Sequence, residues 1–258
     1  MTIAPADSRH FPALAEWLGD SLDTVVPLHV LLSGRCKAWL DGSASSPRAC
    51  VVLADYVARE PWAFGGDADD AEAVARLLRE APGWKCVNVS REFADAMSDA
   101  LHRGTGQPAS RHGDLYFAPA GKIDAVDDDR VRLLTRDDAP LFRESPEDAR
   151  AGPAEFIERL LRDGLCAAAV VDGRVVAQAH AYCITPRHAE IGARTAVHFR
   201  GRGLSTACGT LLCARLQASN RLPVWSTGES NLASQRVAQK IGLRLVHRRV
   251  YLSVSREA

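Results

Sequence analysis

The chain of 258 residues is predicted to be an α/β protein with a mixed sheet. Short apolar runs of strand length, such as Cys166–Val171, alternate with segments whose apolar residues recur at helical spacing, such as residues 203–219. An Asp-Gly pair separates Cys166–Val171 from residues 174–185, which is a strong short-range signal of an antiparallel hairpin. Strands and helices alternate after this hairpin, so the sheet is expected to be mixed.

The first half has the order helix, helix, three strands, helix, strand, helix and strand. The expected helices are 8–18, 22–33 (interrupted by Pro27), a segment ending at Glu80, and 91–102. The expected strands are 37–41, 48–56, Trp62–Phe64, 84–90 and 114–117. A polar, acidic stretch without periodicity covers residues 118–129, and it predicts two domains, 1–120 and 121–258.

The second half continues the alternation. The expected strands are 130–134, Cys166–Val171, 174–185, 188–197, 223–226 and Leu243–Ser253. Helical segments are expected at 139–142, 153–162, 203–219 and 231–241.

Charge and hydropathy exclude several classes of protein. The 32 basic and 32 acidic residues balance, which argues against general nucleic-acid binding. Residues 1–120 hold 11 basic and 16 acidic residues, a net charge of −5, whereas residues 121–258 hold 21 and 16, a net charge of +5. The positive excess suits a phosphate-bearing cofactor. Because we find neither a membrane-length apolar run nor a secretory signal, we expect a cytoplasmic protein that does not bind membranes.

The seven cysteines predict neither a disulfide framework nor a zinc site. Their number is odd and no C-x-x-C spacing occurs. Most lie in apolar segments, where Cys behaves as a small buried hydrophobe. We therefore expect buried thiols and no metal site.

A glycine-rich turn follows the expected strand 188–197 and leads into the expected helix 203–219. Its sequence, residues 199–206, is FRGRGLST. Backbone N–H groups at a helix start have no partner within the helix, and the helix dipole favours negative charge there. Gly201 and Gly203 allow a ligand to approach the backbone closely, and Arg200 and Arg202 add positive charge. The turn therefore predicts an anion site, most simply for a diphosphate.

Three segments in this order resemble the GNAT superfamily of acyl-CoA-dependent N-acetyltransferases. Residues 200–205 (RGRGLS) resemble its R/Q-x-x-G-x-G/A signature, and residues 195–200 (TAVHFR) resemble the approach to that signature. Residues 231–243 (NLASQRVAQKIGL) are similar to its second cofactor-contacting helix. Trp225, Glu190-Ile191 and Thr195 also resemble a branch that contains zwittermicin-type self-resistance acetyltransferases. The resemblance covers residues 130–253 and implies a mostly antiparallel sheet flanked by helices.

The resemblance implies that acetyl-CoA is the co-substrate. Backbone N–H groups of residues 202–206 would hold its pyrophosphate, Thr195 and Val197 would pair with its pantetheine arm, and Asn231 would hydrogen-bond to that arm. The implied cofactor-binding residues are Thr195, Val197, Arg200, Gly201, Arg202, Gly203, Leu204, Ser205, Thr206 and Asn231. A purely structural interpretation makes Asn231 a helix N-cap. Ala238 stands where many members of the family have a Tyr that protonates the leaving thiolate, so no general acid is predicted.

An amine must lose its proton before acyl transfer, so a proton acceptor is expected. Glu190 is the first candidate because family members often place a base along this strand, although a solvated Glu at a strand end is also consistent with its position. His180 is the second candidate; Tyr182 shares its strand face, and Cys183 is a further candidate.

The predicted function is transfer of an acetyl group from acetyl-CoA to a primary amine of a small molecule or antibiotic, by a monomer or homodimer. A protein or peptide acceptor and a non-catalytic acyl-CoA sensor are the alternatives. Residues 35–117 loosely repeat the order of elements and resemble a degenerate copy of the fold, as in tandem GNAT proteins. The resemblance therefore implies a degenerate or accessory domain at 1–120 and an acetyl-CoA-binding catalytic domain at 121–258. The helix in this half begins after GGDADD, where Asp67, Asp69 and Asp70 would satisfy the helix start and repel a pyrophosphate.

Overall fold

The computed structural model describes residues 3–56, 59–124, 128–162 and 165–254. The chain divides into two compact units, 1–115 with 247–258, and 116–246. The predicted division after residue 120 lies five residues beyond the one observed after Leu115. The sequence did not predict that the residues from His247 onward would belong with the first unit. Residues 125–127 of the predicted boundary segment lie outside the described residues.

Seven α-helices and eleven strands occur in the described residues, with short 3-10 turns between them. The helices are α1 (Phe11–Leu18), α2 (Val25–Leu32), α3 (Ala68–Glu80), α4 (Ala94–Thr105), α5 (Ala154–Arg162), α6 (Leu204–Ala218) and α7 (Leu232–Ile241). The strands are β1 (Cys36–Ser43), β2 (Ser46–Ala54), β3 (Trp62–Phe64), β4 (Cys86–Ser90), β5 (Ser110–Pro119), β6 (Val131–Leu133), β7 (Cys166–Val171), β8 (Arg174–Ile184), β9 (His188–Thr195), β10 (Leu222–Gly228) and β11 (Leu243–Ser253).

In the first unit, strands follow the spatial order β1-β2-β3-β4-β11. All neighbours are antiparallel except β3 and β4, which are parallel and pair only at Trp62 and Asn88. Helix α3 packs on β2 and α4, and its apolar stripe closes a core with Trp39, Trp84 and Phe93. The unit therefore has a mostly antiparallel sheet with one short parallel pair.

The second unit also has a mostly antiparallel sheet with one short parallel pair. Its strands follow the order β10-β9-β8-β7-β6, and only β9 and β10 are parallel among these described strands. Helix α6 packs on β8 and on α7. Gly209 allows the two helices to approach, because a Cβ there would overlap Cδ1 of Ile241. A mixed α/β fold with a mostly antiparallel sheet, as predicted, is confirmed.

Most element predictions hold within a few residues. The predicted helix 22–33 is shorter and begins at Val25, so Pro27 lies in its first turn, where the missing N–H has no helical role. Residues 136–142 form a 3-10 helix because Pro140 prevents an α-helix there. Six of the seven cysteines are buried, Cys86 is half-buried, and all are free thiols, as expected.

Candidate active site

The candidate site begins where β9 and β10 separate. The two strands pair at Leu222 with His188, Pro223 with Ala189 and Val224 with Glu190. Each strand then continues without the other, to Thr195 and to Gly228. Beyond Glu190, β9 therefore has an edge whose hydrogen-bonding groups β10 does not use.

The register of β8 and β9 shows which residues point toward this edge. Ala196 N donates to Val176 O over 2.9 Å, so residues 176 and 196 form a hydrogen-bonded pair. Hydrogen-bonded and non-hydrogen-bonded pairs alternate in an antiparallel ladder. Thr195, opposite Ala177, and Ala193, opposite Ala179, consequently turn their N–H and C=O groups away from β8 and toward the gap.

Val197 does not share this exposed edge, although the family resemblance implies that it would. Its N–H donates to Oδ2 of Asp148 over 2.8 Å, and its carbonyl accepts from Arg200 N over 3.3 Å. Both backbone groups thus have partners within the chain. Sequence reasoning missed Ala193; the two-residue period of a strand edge, counted back from Thr195, was the signal that could have found it.

The turn after β9 presents an uncapped helix start. Gly201 and Gly203 have φ angles of 76° and 77°, in the left-handed region that favours glycine. Helix α6 begins at Leu204, and no side chain of the described residues caps it. Its first backbone bond runs from Ala207 N to Gly203 O, 3.0 Å. The amides of residues 204–206 therefore have no carbonyl within the helix to bind, as the sequence predicted for an anion site.

Two arginines hold this turn and add positive charge to it. Arg200 donates from Nε to Thr195 O over 3.2 Å, and Arg202 donates from Nη2 to His198 O over 3.1 Å. The guanidinium of Arg202 also lies 4.9 Å from the centre of the Phe199 ring. Both side chains are exposed and carry their charge beside the free amides.

Glu190 occupies the point where the strands part. Its side chain has no solvent exposure, and Oε1 accepts a hydrogen bond from Ser226 N on β10 over 2.8 Å. The interpretation of Glu190 as a solvated carboxylate at a strand end is therefore wrong. The carboxylate links the last paired residue of β9 to Ser226, two residues beyond the last paired residue of β10, beside the open edge of β9.

His180 lies opposite Gly192, which is two residues beyond Glu190 and on the same face of β9. A Cβ at Gly192 would come within 2.9 Å of Nε2 of His180, so only glycine leaves room for this ring. The ring also packs edge-on against Phe156, with centroids 5.9 Å apart. Burial and the nearby charge of Arg194 lower the pKa of His180 to about 4. It is therefore neutral at physiological pH and a poor proton acceptor.

Tyr182 and Cys183, the remaining candidates on β8, occupy different environments. Tyr182 lies at a bulge in the β8–β9 ladder, half-buried, with its ring 6.2 Å from that of His180. Cys183, opposite Glu190 in the register, is fully buried. Gly192 and Phe156 were not singled out from the sequence. A glycine inside a strand can mark a close approach, and this was the available signal for Gly192.

Asn231 is the N-cap of α7, in agreement with its purely structural interpretation. Its Oδ1 accepts from Ser234 N over 3.2 Å, which leaves the N–H donors of its exposed carboxamide outside the cap. Trp225 ties β10 to the same helix by donating from Nε1 to Ser234 Oγ over 2.9 Å. Ala238 is fully buried.

The described residues contain no group of three or more His, Cys, Asp or Glu side chains arranged to hold a metal ion. Among the helices that the structure describes, none is both long and apolar enough to cross a membrane.

Comparison with known proteins identifies the fold. Residues 155–251 match the family model of GNAT acetyltransferases. No curated protein sequence matches the chain significantly.

Several solved structures share this fold along nearly the whole chain. A GCN5-related N-acetyltransferase-like protein from Streptococcus suis 89/1591 is 18% identical, with a TM-score of 0.67 over 97% of this chain and 100% of its own. A GNAT-family acetyltransferase from Colwellia psychrerythraea is 13% identical, with a TM-score of 0.69 over 99% and 100%. A tandem GNAT protein from the clavulanic acid biosynthesis pathway is 13% identical, with a TM-score of 0.57 over 99% of each chain. Residues 155–251 thus match the GNAT acetyltransferase family, and the chain as a whole has the fold of these GNAT proteins.

Proposed function

We propose that the second unit transfers an acetyl group from acetyl-CoA to a primary amine. The observation that carries this proposal is the uncapped, glycine-bounded start of α6 directly after a strand with an open edge. The amides of an uncapped helix start bind an anion such as a diphosphate. The open edge of a strand binds an extended arm that contains amide groups. Matching of residues 155–251 to the acetyltransferase family supports the same reaction.

Each part of the cofactor has a matching group on the chain. The amides of residues 202–206 would receive the pyrophosphate, with Arg200 and Arg202 beside them. A Cβ at Gly201 or Gly203 would meet no atom within 4 Å, so the approach to this turn is open. The N–H and C=O of Ala193 and the N–H of Thr195 would pair with the pantetheine amides as an added strand does. The carbonyl of Thr195 already accepts from Arg200. The free N–H donors of Asn231 would bind the same arm from α7.

Acetyl-CoA supplies a thioester whose carbonyl carbon the neutral amine attacks, after which the C–S bond breaks and CoA leaves as a thiolate that takes a proton from solvent. Glu190 accepts the proton that the amine loses, directly or through a water molecule. Ser226 holds the carboxylate in place through Oε1. His180 is assigned no proton transfer, because its pKa near 4 leaves little proton affinity at neutral pH. A buried Ala238 supplies no acid to the thiolate.

The proposed acceptor is a small-molecule amine, such as an amino-bearing antibiotic. A narrower form of this proposal is that the chain acetylates an antibiotic as a zwittermicin-type self-resistance enzyme. This narrower form rests only on the resemblance of Trp225, Thr195 and Glu190-Ile191 to that branch. An amine on a protein or peptide is a second acceptor class. An acyl-CoA sensor without turnover is the alternative that the lack of an acidic side chain at Ala238 favours.

Two measurements test the proposal. Acetyl-CoA at about 100 times its dissociation constant should raise the free energy of unfolding by about 2.7 kcal/mol, without added metal. Free thiol should then appear when acetyl-CoA is mixed with an amine from a panel of small molecules and peptides. An unchanged melting curve in millimolar acetyl-CoA would rule out the proposed cofactor. Binding without thiol release from any amine would identify a sensor.

A further inference from the structure

The first unit contains a cavity of about 430 Å³ at the end of β3 and β4. This volume lies in the range of sites that bind small molecules. Its lining includes Trp17, Phe64, Arg48, Asp23 and Arg249. The cavity is formed within the first unit, and none of its residues belongs to the site proposed above.

The start of α3 beside this cavity is closed to a pyrophosphate. Asp67 caps the helix by accepting from Asp70 N over 2.9 Å, and Asp70 Oδ2 accepts from Gly66 N over 2.8 Å. Asp70 N and Gly66 N thus already bind carboxylates of the chain, and these carboxylates would repel a phosphate. A ligand of this cavity is therefore expected to bind through groups other than the start of α3.

Aromatic rings form one wall of the cavity. Trp17 and Phe64 pack edge to face with their centroids 6.3 Å apart, and Trp17 is half-buried. The guanidinium of Arg249 lies 5.2 Å from the centre of the Phe64 ring, and only 2% of this arginine is exposed. An apolar, planar ligand body would gain contact with these rings.

Positive charge exceeds negative charge among the lining residues. Arg249 donates to Asp23 over 2.9 Å and to both the side chain and the carbonyl of Asn88, which uses three of its five N–H donors. Burial alone would raise the pKa of Asp23, but Arg249 and the hydrogen bond from Ser21 lower it below its ordinary value. Asp23 is thus ionised and balances Arg249. The carboxylate partners of Arg48, which are Asp41 and Asp70, lie outside the lining.

Arg48 can bind an anion because its shortest ion pair, with Asp41, is exposed. It binds Asp41 over 2.7 Å and approaches Asp70 at 3.7 Å, with half of its side chain exposed. Exposed ion pairs of this kind contribute little to stability, so a ligand can compete for the guanidinium.

We propose that this cavity binds a small aromatic carboxylate, with the ring against Trp17 and Phe64 and the carboxylate on Arg48 and the remaining donors of Arg249. The site is independent of acetyl-CoA binding by the second unit.

Tryptophan fluorescence offers a direct test. Trp17 is half-buried, whereas the other four tryptophans are at most 5% exposed, so a ligand in the cavity should change the Trp17 signal. Benzoate, benzyl alcohol and benzylamine are matched probes of negative, zero and positive charge. We expect saturable quenching by benzoate that is lost in Trp17→Phe, with calorimetry giving the same dissociation constant for the native chain.

Arg76 provides a matched control for Arg48. Both bind Oδ2 of Asp41 and both are about half exposed, but only Arg48 lines the cavity. Arg48→Gln should weaken benzoate binding about tenfold, which equals about 1.4 kcal/mol, while Arg76→Gln should change it less than about threefold. Equal losses in both variants, tighter binding of benzylamine than of benzoate, or no saturable binding of any probe would overturn the proposal. The acetyl-CoA melting shift should be unchanged in every variant.

Discussion

Both units have glycines in a turn between a strand and a helix, but the start of the helix that follows differs between them. In each unit a strand that pairs briefly in parallel runs through a glycine turn into a helix, α3 in the first and α6 in the second. In the first, Asp67 caps the helix by accepting from Asp70 N, and Asp70 accepts from Gly66 N just before the helix. In the second, no described side chain caps the helix, and two arginines lie beside it.

The glycines themselves have different roles in the two turns. Gly65 is needed for close approach, because a Cβ there would lie 2.8 Å from Cζ of Phe93. Gly203 is needed for its positive φ and has open space around it. A strand, a glycine turn and a helix are therefore insufficient to indicate an anion site. The side chains of the first helical turn decide whether the amides remain available.

The largest expected effect is at Gly203. Gly203→Glu should abolish the acetyl-CoA-induced rise in stability, because a carboxylate would stand where the pyrophosphate binds. Gly203→Gln is the control, since it has the same size and the same strain at positive φ but no charge. Melting curves with and without acetyl-CoA measure both. If the Glu variant is stabilised by acetyl-CoA as strongly as the native chain, the proposed anion site is wrong.

The second prediction concerns the point where the parallel strands part. That position is occupied by Trp62 in the first unit and by Glu190 in the second. Glu190→Gln should lower kcat about 100-fold or more with little change in acetyl-CoA affinity, because the lost group acts on the amine. The side-chain oxygen of the glutamine can still accept the hydrogen bond from Ser226 N. Exposed Glu229→Gln is the control, and near-native rates for Glu190→Gln between about pH 6 and pH 9 would place the base elsewhere.

The smallest expected effect is at the self-capped helix of the first unit. Asp67→Ala removes an N-cap and should lower the free energy of unfolding by about 1 kcal/mol. It should leave acetyl-CoA affinity unchanged and should not create a second site, so calorimetry should still find one CoA per chain. Asp69→Ala removes a neighbouring exposed carboxylate that does not cap the helix, and it serves as the control. Two CoA molecules bound per native chain would show that the first unit also binds CoA, contrary to the proposed difference between the units.

The sequence predicted the alternation of elements well because apolar periodicity and turn residues are local signals. Such signals locate the strand Trp62–Phe64, the hairpin after Cys166–Val171 and the strand Leu243–Ser253. The glycine turn could be interpreted for the same reason, since a helix start and its cap are formed by neighbours in the chain. The sequence predicted that Asp67, Asp69 and Asp70 would satisfy this helix start. Asp67 caps the helix and Asp70 accepts from Gly66 N before it, but Asp69 takes part in neither bond.

What the sequence alone determined is therefore the order of elements, the two glycine turns and the contrast in charge around them. Tertiary structure decided which groups remain free. Asp148, 49 positions away in the chain, takes the N–H of Val197, and the ladder register turns Ala193 toward the gap. Burial beside Gly192 makes His180 a poor base, and Ser226 of β10 holds the carboxylate of Glu190. Hydrogen-bond partners and desolvation depend on residues brought together from distant parts of the chain, so no local pattern could specify them.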